Sequence, residues 1–278
     1  MENWKGGIIK DSTKKEKNWS DFYEELGEIA RGGFGKVIKA RNKKTNELRA
    51  IKLISKSNNF EIKNFENEVN IMKKMNNKNS IGIYEQFNTD KDYAIVMELC
   101  DCNLRKKLDE SYFGFEENLI KKILTQLNNA FRIMLKNKII HRDIKLENIL
   151  VKYINDKKSD YIVKLTDYGV SKQLATLSQE NKTFIGTMAT MAPEIIKQEP
   201  YSNKCDLWSI GVVIYLLCFK EEPYKFCDII GNINQLNQDH FKKHGNPLLN
   251  DLISKLLIAD PKKRLSWEEY FNHPFFKK

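Results

Sequence analysis

Near residue 100 the hydrophobic pattern of this chain changes period, and that change limits what the chain can fold into. Before it, the apolar residues fall mostly in short runs. Gly35 to Ala40 and Leu48 to Ile54 read as paired strands around the turn Arg41 to Glu47, and Ala94 to Leu99 (AIVMEL) reads as another strand. One segment in this half differs. In NFEIKNFENEVNIMKKM, the residues Ile62, Phe65, Val69 and Met72 recur at helical spacing, which predicts a helix. After the linker CDCN, Leu119, Ile123, Leu127, Ala130, Phe131 and Met134 form one helical stripe, and all six prolines lie between later helical stretches. The expected fold is α+β: a small sheet-rich lobe carrying one helix, joined to a larger, mainly helical lobe.

A chain of 278 residues can bury a sizeable core. The longest apolar run, Leu207 to Phe219 (LWSIGVVIYLLCF), is too short to span a bilayer and reads as a buried helix. The first residues lack the apolar centre of a signal peptide, so no membrane is expected and the location is read as cytoplasmic, or at least intracellular. Five cysteines without disulfide or zinc spacing suit free thiols in a reducing compartment. The net charge of +10 is spread over short doublets such as Lys43-Lys44 and Lys73-Lys74, with no aromatic-interleaved stripe, so no nucleic-acid partner is expected.

The chemistry is carried by spacing. His141-Arg142-Asp143-Ile144-Lys145-Leu146-Glu147-Asn148 fixes five positions (His-Arg-Asp-x-Lys-x-x-Asn). Chance gives that pattern in a chain this long on the order of one time in ten thousand. It is followed by Asp167-Tyr168-Gly169, then by Met191-Ala192-Pro193-Glu194. Upstream lie Ile29-Ala30-Arg31-Gly32-Gly33-Phe34-Gly35-Lys36-Val37 and Ala50-Ile51-Lys52. By itself the glycine-rich stretch reads more readily as a flexible turn between strands than as a phosphate loop.

With all the motifs in order, the chain resembles the eukaryotic protein kinases of the Ser/Thr type. The closing LSWEEYFNHPFF resembles the end of calmodulin-dependent and related kinase domains. The resemblance implies an N-terminal extension over residues 1–21 and a kinase domain over 22–276. Within it, 22–97 would form the small lobe, 98–102 a hinge and 103–276 the large lobe. It also implies ATP and Mg²⁺ as cofactors and protein substrates as partners.

The resemblance assigns roles residue by residue. Ile29, Ala30, Gly32, Gly33, Gly35 and Val37 become the nucleotide loop, with Ala30 in place of the family's first glycine. Ala50 and Leu150 would sandwich adenine, Glu98 and Cys100 would offer backbone hydrogen bonds to it, and Met97 would be the gatekeeper. Lys52 would clamp phosphates with Glu68 as ion-pair partner, and Asn148 and Asp167 would hold magnesium. Asp143 would orient the acceptor hydroxyl and take its proton, with Lys145 near the transferring phosphate.

Structural roles are implied as well. Asp206 would brace the catalytic loop, Arg264 would pair with Glu194, and Met72, Ile83, His141 and Tyr168 would stack as a spine. Tyr168 stands where the family usually has Phe, so its hydroxyl needs a partner. Thr183 is the expected phosphorylation site, added by an upstream kinase or by autophosphorylation, with Arg142 and Lys172 as the cations that would receive the phosphate. Thr190 stands where the family often has Tyr, and Glu147 would favour basic residues beside the acceptor. The alternative is a pseudokinase acting as a nucleotide-binding scaffold. It is disfavoured because Lys52, Asp143 and Asp167 are all present.

Overall fold

The computed structural model describes residues 18–32, 35–56, 59–174, 186–224 and 238–277. After a capped turn of helix, α1 (Trp19–Phe22), come β1 (Tyr23–Gly32), β2 (Gly35–Asn42), β3 (Leu48–Ser55), α2 (Asn59–Lys74), β4 (Ile83–Asn88) and β5 (Asp92–Glu98). The strands form one antiparallel sheet in the order β1-β2-β3-β5-β4. The period-2 alternation of β3 decides where its side chains go. Ile51 and Leu53 join Ile38, Ala40, Ala94 and Val96 in a small core on one face. Ala50 and Ile54 face the other way, with Ile95 and Met97, into the main core. Lys52 lies between them and therefore points to that inner face.

Helix α2 covers the inner face. Phe65, Val69 and Met72 are buried there as their spacing predicts, together with Ile71 and Met75; Ile62 lies outside the described side chains. Glu68 stands three residues after Phe65 and four before Met72, so the helical period carries a carboxylate onto an apolar face.

The second region begins with the two-residue β6 (Cys102–Asn103), then α3 (Leu104–Asp109) and the long α4 (Glu117–Lys136). The predicted stripe of α4 is buried at Ile123, Leu127, Ala130, Phe131 and Met134. Leu119 is only partly covered, because the buried face turns toward Ile120 and Leu124 instead. Short strands follow: β7 (Ile139–Ile140), β8 (Ile149–Tyr153), β9 (Tyr161–Leu165) and β10 (Lys172–Gln173). They pair as β6-β8-β9 and β10-β7.

The remaining helices are α5 (Pro193–Ile196), α6 (Lys204–Phe219), α7 (Pro247–Leu256) and α8 (Trp267–Phe271). Helix α6 is the predicted LWSIGVVIYLLCF element and is buried from Cys205 through Cys218. An all-round apolar helix has no solvent face to keep polar, which is why its sequence shows no stripe. No helix among the described residues is long and apolar enough to cross a membrane.

Candidate functional site

Four local structures converge between the two regions: β3, α2, the turn after β7 and the segment after β9. Between β7 and β8 the chain must make a tight path, and one buried carboxylate organises it. Asp206, in the first turn of α6, accepts the amide of His141 at Oδ2 and the amide of Arg142 at Oδ1, both at 2.9 Å. Arg142 thereby holds a left-handed conformation, φ 68°. An arginine adopts that conformation only at a cost that its surroundings must offset. Burial pushes the Asp206 carboxyl upward, against the pull of His141 and of the two amides.

The turn aims Asp143 inward, where three residues hold it. Lys145 Nζ lies 2.8 Å from its Oδ2. Asn148 Nδ2 donates to the same Oδ2 at 2.8 Å and to the Asp143 carbonyl at 2.9 Å. Thr187 donates its amide (2.9 Å) and its hydroxyl (2.6 Å) to Oδ1. Thr187 is a partner to which the sequence assigns no site role. Its path past the catalytic turn relies on Gly186 (φ +122°), where an added Cβ would stand 2.4 Å from the Arg142 carbonyl oxygen.

The second centre is an ion chain. Lys52 Nζ bonds Glu68 Oε1 at 2.6 Å and Asp167 Oδ1 at 2.9 Å. Burial opposes the Lys52 charge, but the two carboxylates outweigh it and keep its pKa above the ordinary lysine value. Burial also opposes ionisation of Asp167, yet Lys52 holds that carboxyl below the usual range. Desolvation pushes Glu68 upward in spite of Lys52. The shared cation therefore stays charged, and Asp167 stays ionised beside it.

Asp167 has φ 63°, the second strained residue of the site. The Thr166 amide donates to the Asn148 carbonyl at 3.0 Å, which ties the Asp167 segment to the catalytic turn. Because Asn148 spends its Nδ2 on Asp143 and Asp167 spends Oδ1 on Lys52, Asn148 Oδ1 and Asp167 Oδ2 have no partner among the described residues. Two free oxygen donors on tied segments fit a hard divalent cation that takes its other ligands from phosphate and water. No cluster of three or more His, Cys, Asp or Glu with metal-binding geometry occurs among the described residues.

The nucleotide-side residues fall as follows. Val37 pairs with Lys52 and Ala50 with Met97 in the strand ladders. Leu150 opens β8 after Ile149 and is partly buried against the core. Met97 is 7% exposed and seals the inner face. Ile29 and Ala30 are exposed on β1, and Gly32 pairs with Gly35; Gly33 lies outside the described residues.

The structure adds a reason for glycine at position 35. Its φ is +131°, and a Cβ there would stand 2.0 Å from the Leu53 carbonyl oxygen. Close approach of β3 demands the glycine before any phosphate does. Burial pushes the Cys100 thiol up to about 12, so it is no nucleophile. The cysteines Cys100, Cys102, Cys205 and Cys218 are free.

The hinge has its own anchors. Glu98 donates its amide to the Gly82 carbonyl (2.9 Å), and its Oε2 meets the buried Lys164 Nζ at 3.0 Å. The sequence assigns no role to Gly82 or Lys164.

The stacked residues behind the site are buried: Met72, Ile83, His141 and Tyr168. The His141 ring lies 5.1 Å from that of Tyr168 and meets the Thr166 carbonyl through Nε2 at 3.0 Å. The hydroxyl that Tyr168 adds finds Ser80 Oγ at 2.9 Å. Arg142 gives Nε to the Val170 carbonyl (2.6 Å) and Nη1 to the Tyr201 hydroxyl (3.0 Å). Thr183 lies outside the described residues.

A family model described as "Protein kinase domain" matches residues 23–276. Among curated proteins, a probable myosin light chain kinase of Dictyostelium discoideum is 34% identical over 94% of this chain and 68% of its own length. Calcium-dependent protein kinase 5 of Plasmodium falciparum is 31% identical over 93% of this chain and 46% of its own. Serine/threonine-protein kinase 36 of Pongo abelii is 29% identical over 91% of this chain. The chain spans only 19% of that relative and 38% of a Dictyostelium discoideum serine/threonine-protein kinase, atg1.

Proposed function

This chain belongs to the protein kinase family, serine/threonine type, and on that footing we propose that it transfers the γ-phosphoryl group of ATP to serine or threonine hydroxyls of protein substrates. The observation that carries the proposal is the double anchoring of Asp143 and Asp167 by separate lysines, Lys145 and Lys52, on segments tied by the Thr166–Asn148 bond. A scaffold that only binds nucleotide has no use for an aspartate held on both oxygens and aimed into the cleft.

The chemistry follows from what each group can do. The acceptor hydroxyl sits against Asp143, whose carboxylate orients it and takes its proton as the oxygen bonds to phosphorus. The bridging oxygen leaves with ADP. Lys145, already 2.8 Å from Asp143, places a cation beside the oxygens of the moving phosphoryl group. Lys52 binds the remaining phosphates, and Glu68 fixes where Lys52 points. Asn148 and Asp167 would hold Mg²⁺, which neutralises phosphate charge when bound. Val37, Ala50 and Leu150 enclose the base, with Met97 behind it and the backbone of Glu98 and Cys100 alongside. Free thiols suit a reducing intracellular compartment.

Acid hydrolysis of protein labelled from γ-labelled ATP tests the acceptor class. Phosphoserine and phosphothreonine are expected; label confined to phosphotyrosine would overturn the reading.

Regulation is proposed through Thr183. Arg142 is held at the catalytic turn, next to His141 of the spine in sequence, and Lys172 lies on β10, paired with Ile140 just before that turn. A phosphate on Thr183 would carry a charge of about −1.5 to −2 toward these cations and order the segment against the catalytic loop. Thr183→Ala is expected to lower activity at least about fivefold, with the melting temperature unchanged. Full activity in Thr183→Ala protein, or in protein shown by mass spectrometry to lack loop phosphate, would contradict the proposal.

A further inference from the structure

Glu147 lies in the short turn Leu146–Asn148, next in sequence to the asparagine that holds Asp143, and its carboxylate is exposed beside the catalytic turn. The resemblance implies that it receives basic residues of the substrate. The structure places a different cation on it: Arg105 Nε meets Glu147 Oε1 at 2.9 Å.

Arg105 is there for a structural reason. Asn103 pairs with Leu150 across β6 and β8, which sets the start of α3 beside the catalytic turn. The Asn103 side chain then caps α3 by accepting the Lys106 amide at 2.9 Å, so its oxygen is engaged and it supplies no acidic contact for a substrate cation. Arg105 follows in the first turn, at the rim.

We propose that Arg105 sets the substrate class, closing the acceptor groove to peptides with basic flanking residues and favouring acidic ones. This rests on the protein-kinase reading above. A substrate cation would have to displace Arg105 from Glu147 and then share the rim with the displaced guanidinium. A substrate carboxylate meets no such competitor. Glu147 uses only Nε, and the terminal amino groups Nη1 and Nη2 have no partner among the described residues. They form the fork that matches a carboxylate.

The neighbouring charges point the same way. Lys106 adds a second cation in the same turn, while the Lys107 ammonium is turned away over the rings of Tyr153 and Tyr161. The pair is partly exposed, 34% for Arg105 and 43% for Glu147, so it biases the choice by about two- to fivefold rather than absolutely.

The test uses the whole 278-residue chain and peptides with one serine acceptor, in which each flanking position carries Arg, Ala or Asp in turn. For the wild type, kcat/KM is expected to be higher for Asp than for Arg at the responsive positions, with no position favouring Arg over Ala. Arg105→Ala should raise the Arg-to-Asp ratio at least about threefold, Arg105→Glu should raise it further, and Arg105→Ala/Glu147→Gln should cancel the gain. The ratio is independent of any general change in activity. A wild type that favours Arg more than about threefold over Ala, or a ratio unmoved by Arg105→Glu, overturns the proposal while leaving kinase activity intact. Transfer to no peptide and to no protein overturns the kinase reading, and this proposal with it.

Discussion

Lys52→Met is expected to lower kcat/KM for ATP at least about 100-fold, the loss that follows removal of one preorganised charged donor from a water-poor site. The variant has a second cost, because among the described residues Lys52 is the only cation that touches both Glu68 and Asp167. Without it, Glu68, 2% exposed, is left buried beside another carboxylate. Removing one partner of a buried pair costs about 3–5 kcal/mol when the survivor stays charged. Glu68 escapes part of this by protonating, since burial already pushes its carboxyl upward. A lower melting temperature should therefore accompany the kinetic loss, and it should recover partly in Lys52→Met/Glu68→Gln while activity does not. Recovery of activity in the double variant would show that Lys52 acts by neutralising Glu68 rather than on ATP.

The largest effect on stability is expected at Arg264. Its guanidinium is buried, at 1% exposure, with an acceptor for each of its five N–H groups. Nη1 and Nη2 bind Glu194 Oε1 and Oε2 at 2.7 and 2.9 Å. Nε donates to the Ile258 carbonyl, Nη1 also to Lys204 and Nη2 also to Ala259. The guanidinium further sits 5.3 Å from the Trp208 ring centroid. These contacts join α5, α6 and the loop before α8 around one residue.

Arg264→Ala leaves Glu194, 2% exposed, without its cation, and three carbonyls lose a donor. A loss of about 3–5 kcal/mol is expected, which lowers the melting temperature by about 10 °C. Arg264→Lys should recover little, because an ammonium cannot grip both carboxylate oxygens and three carbonyls at once. Calorimetry decides: a shift under about 2 °C in Arg264→Ala would contradict this account of the core.

Much of this was legible in the sequence, and the parts that were not share a cause. The resemblance implies that Lys52 and Glu68 pair, and the strand period of β3 and the helical period of α2 put each on its buried face, where the ion pair lies. The catalytic turn was legible because its residue types are chemically constrained at fixed spacing.

The partners that hold those residues were not legible. Thr187, Ser80, Tyr201 and Lys164 are single polar residues whose contacts span 44, 88, 59 and 66 positions of chain, the first to Asp143 and the last to Glu98. No periodicity records such contacts. Arg105 was missed for a related reason, since a lone arginine in LRKKLD looks like any solvated helix face. Only the pairing of β6 with β8 brings it to Glu147. Leu119 was placed on the buried face of α4 because it fits the stripe, but the packing surface turns by one residue toward Ile120.

The central claim is that Asp143, held by Lys145, Asn148 and Thr187, serves the acceptor hydroxyl. Asp143→Asn tests it most directly, because the amide preserves shape and volume while removing the proton acceptor and one charge. The measurement is incorporation of label from γ-labelled ATP into a protein substrate with Mg²⁺, wild type and variant side by side, at matched fold by circular dichroism. The account expects at least about a 100-fold loss of turnover in Asp143→Asn. Turnover equal to the wild type in a correctly folded variant would contradict it.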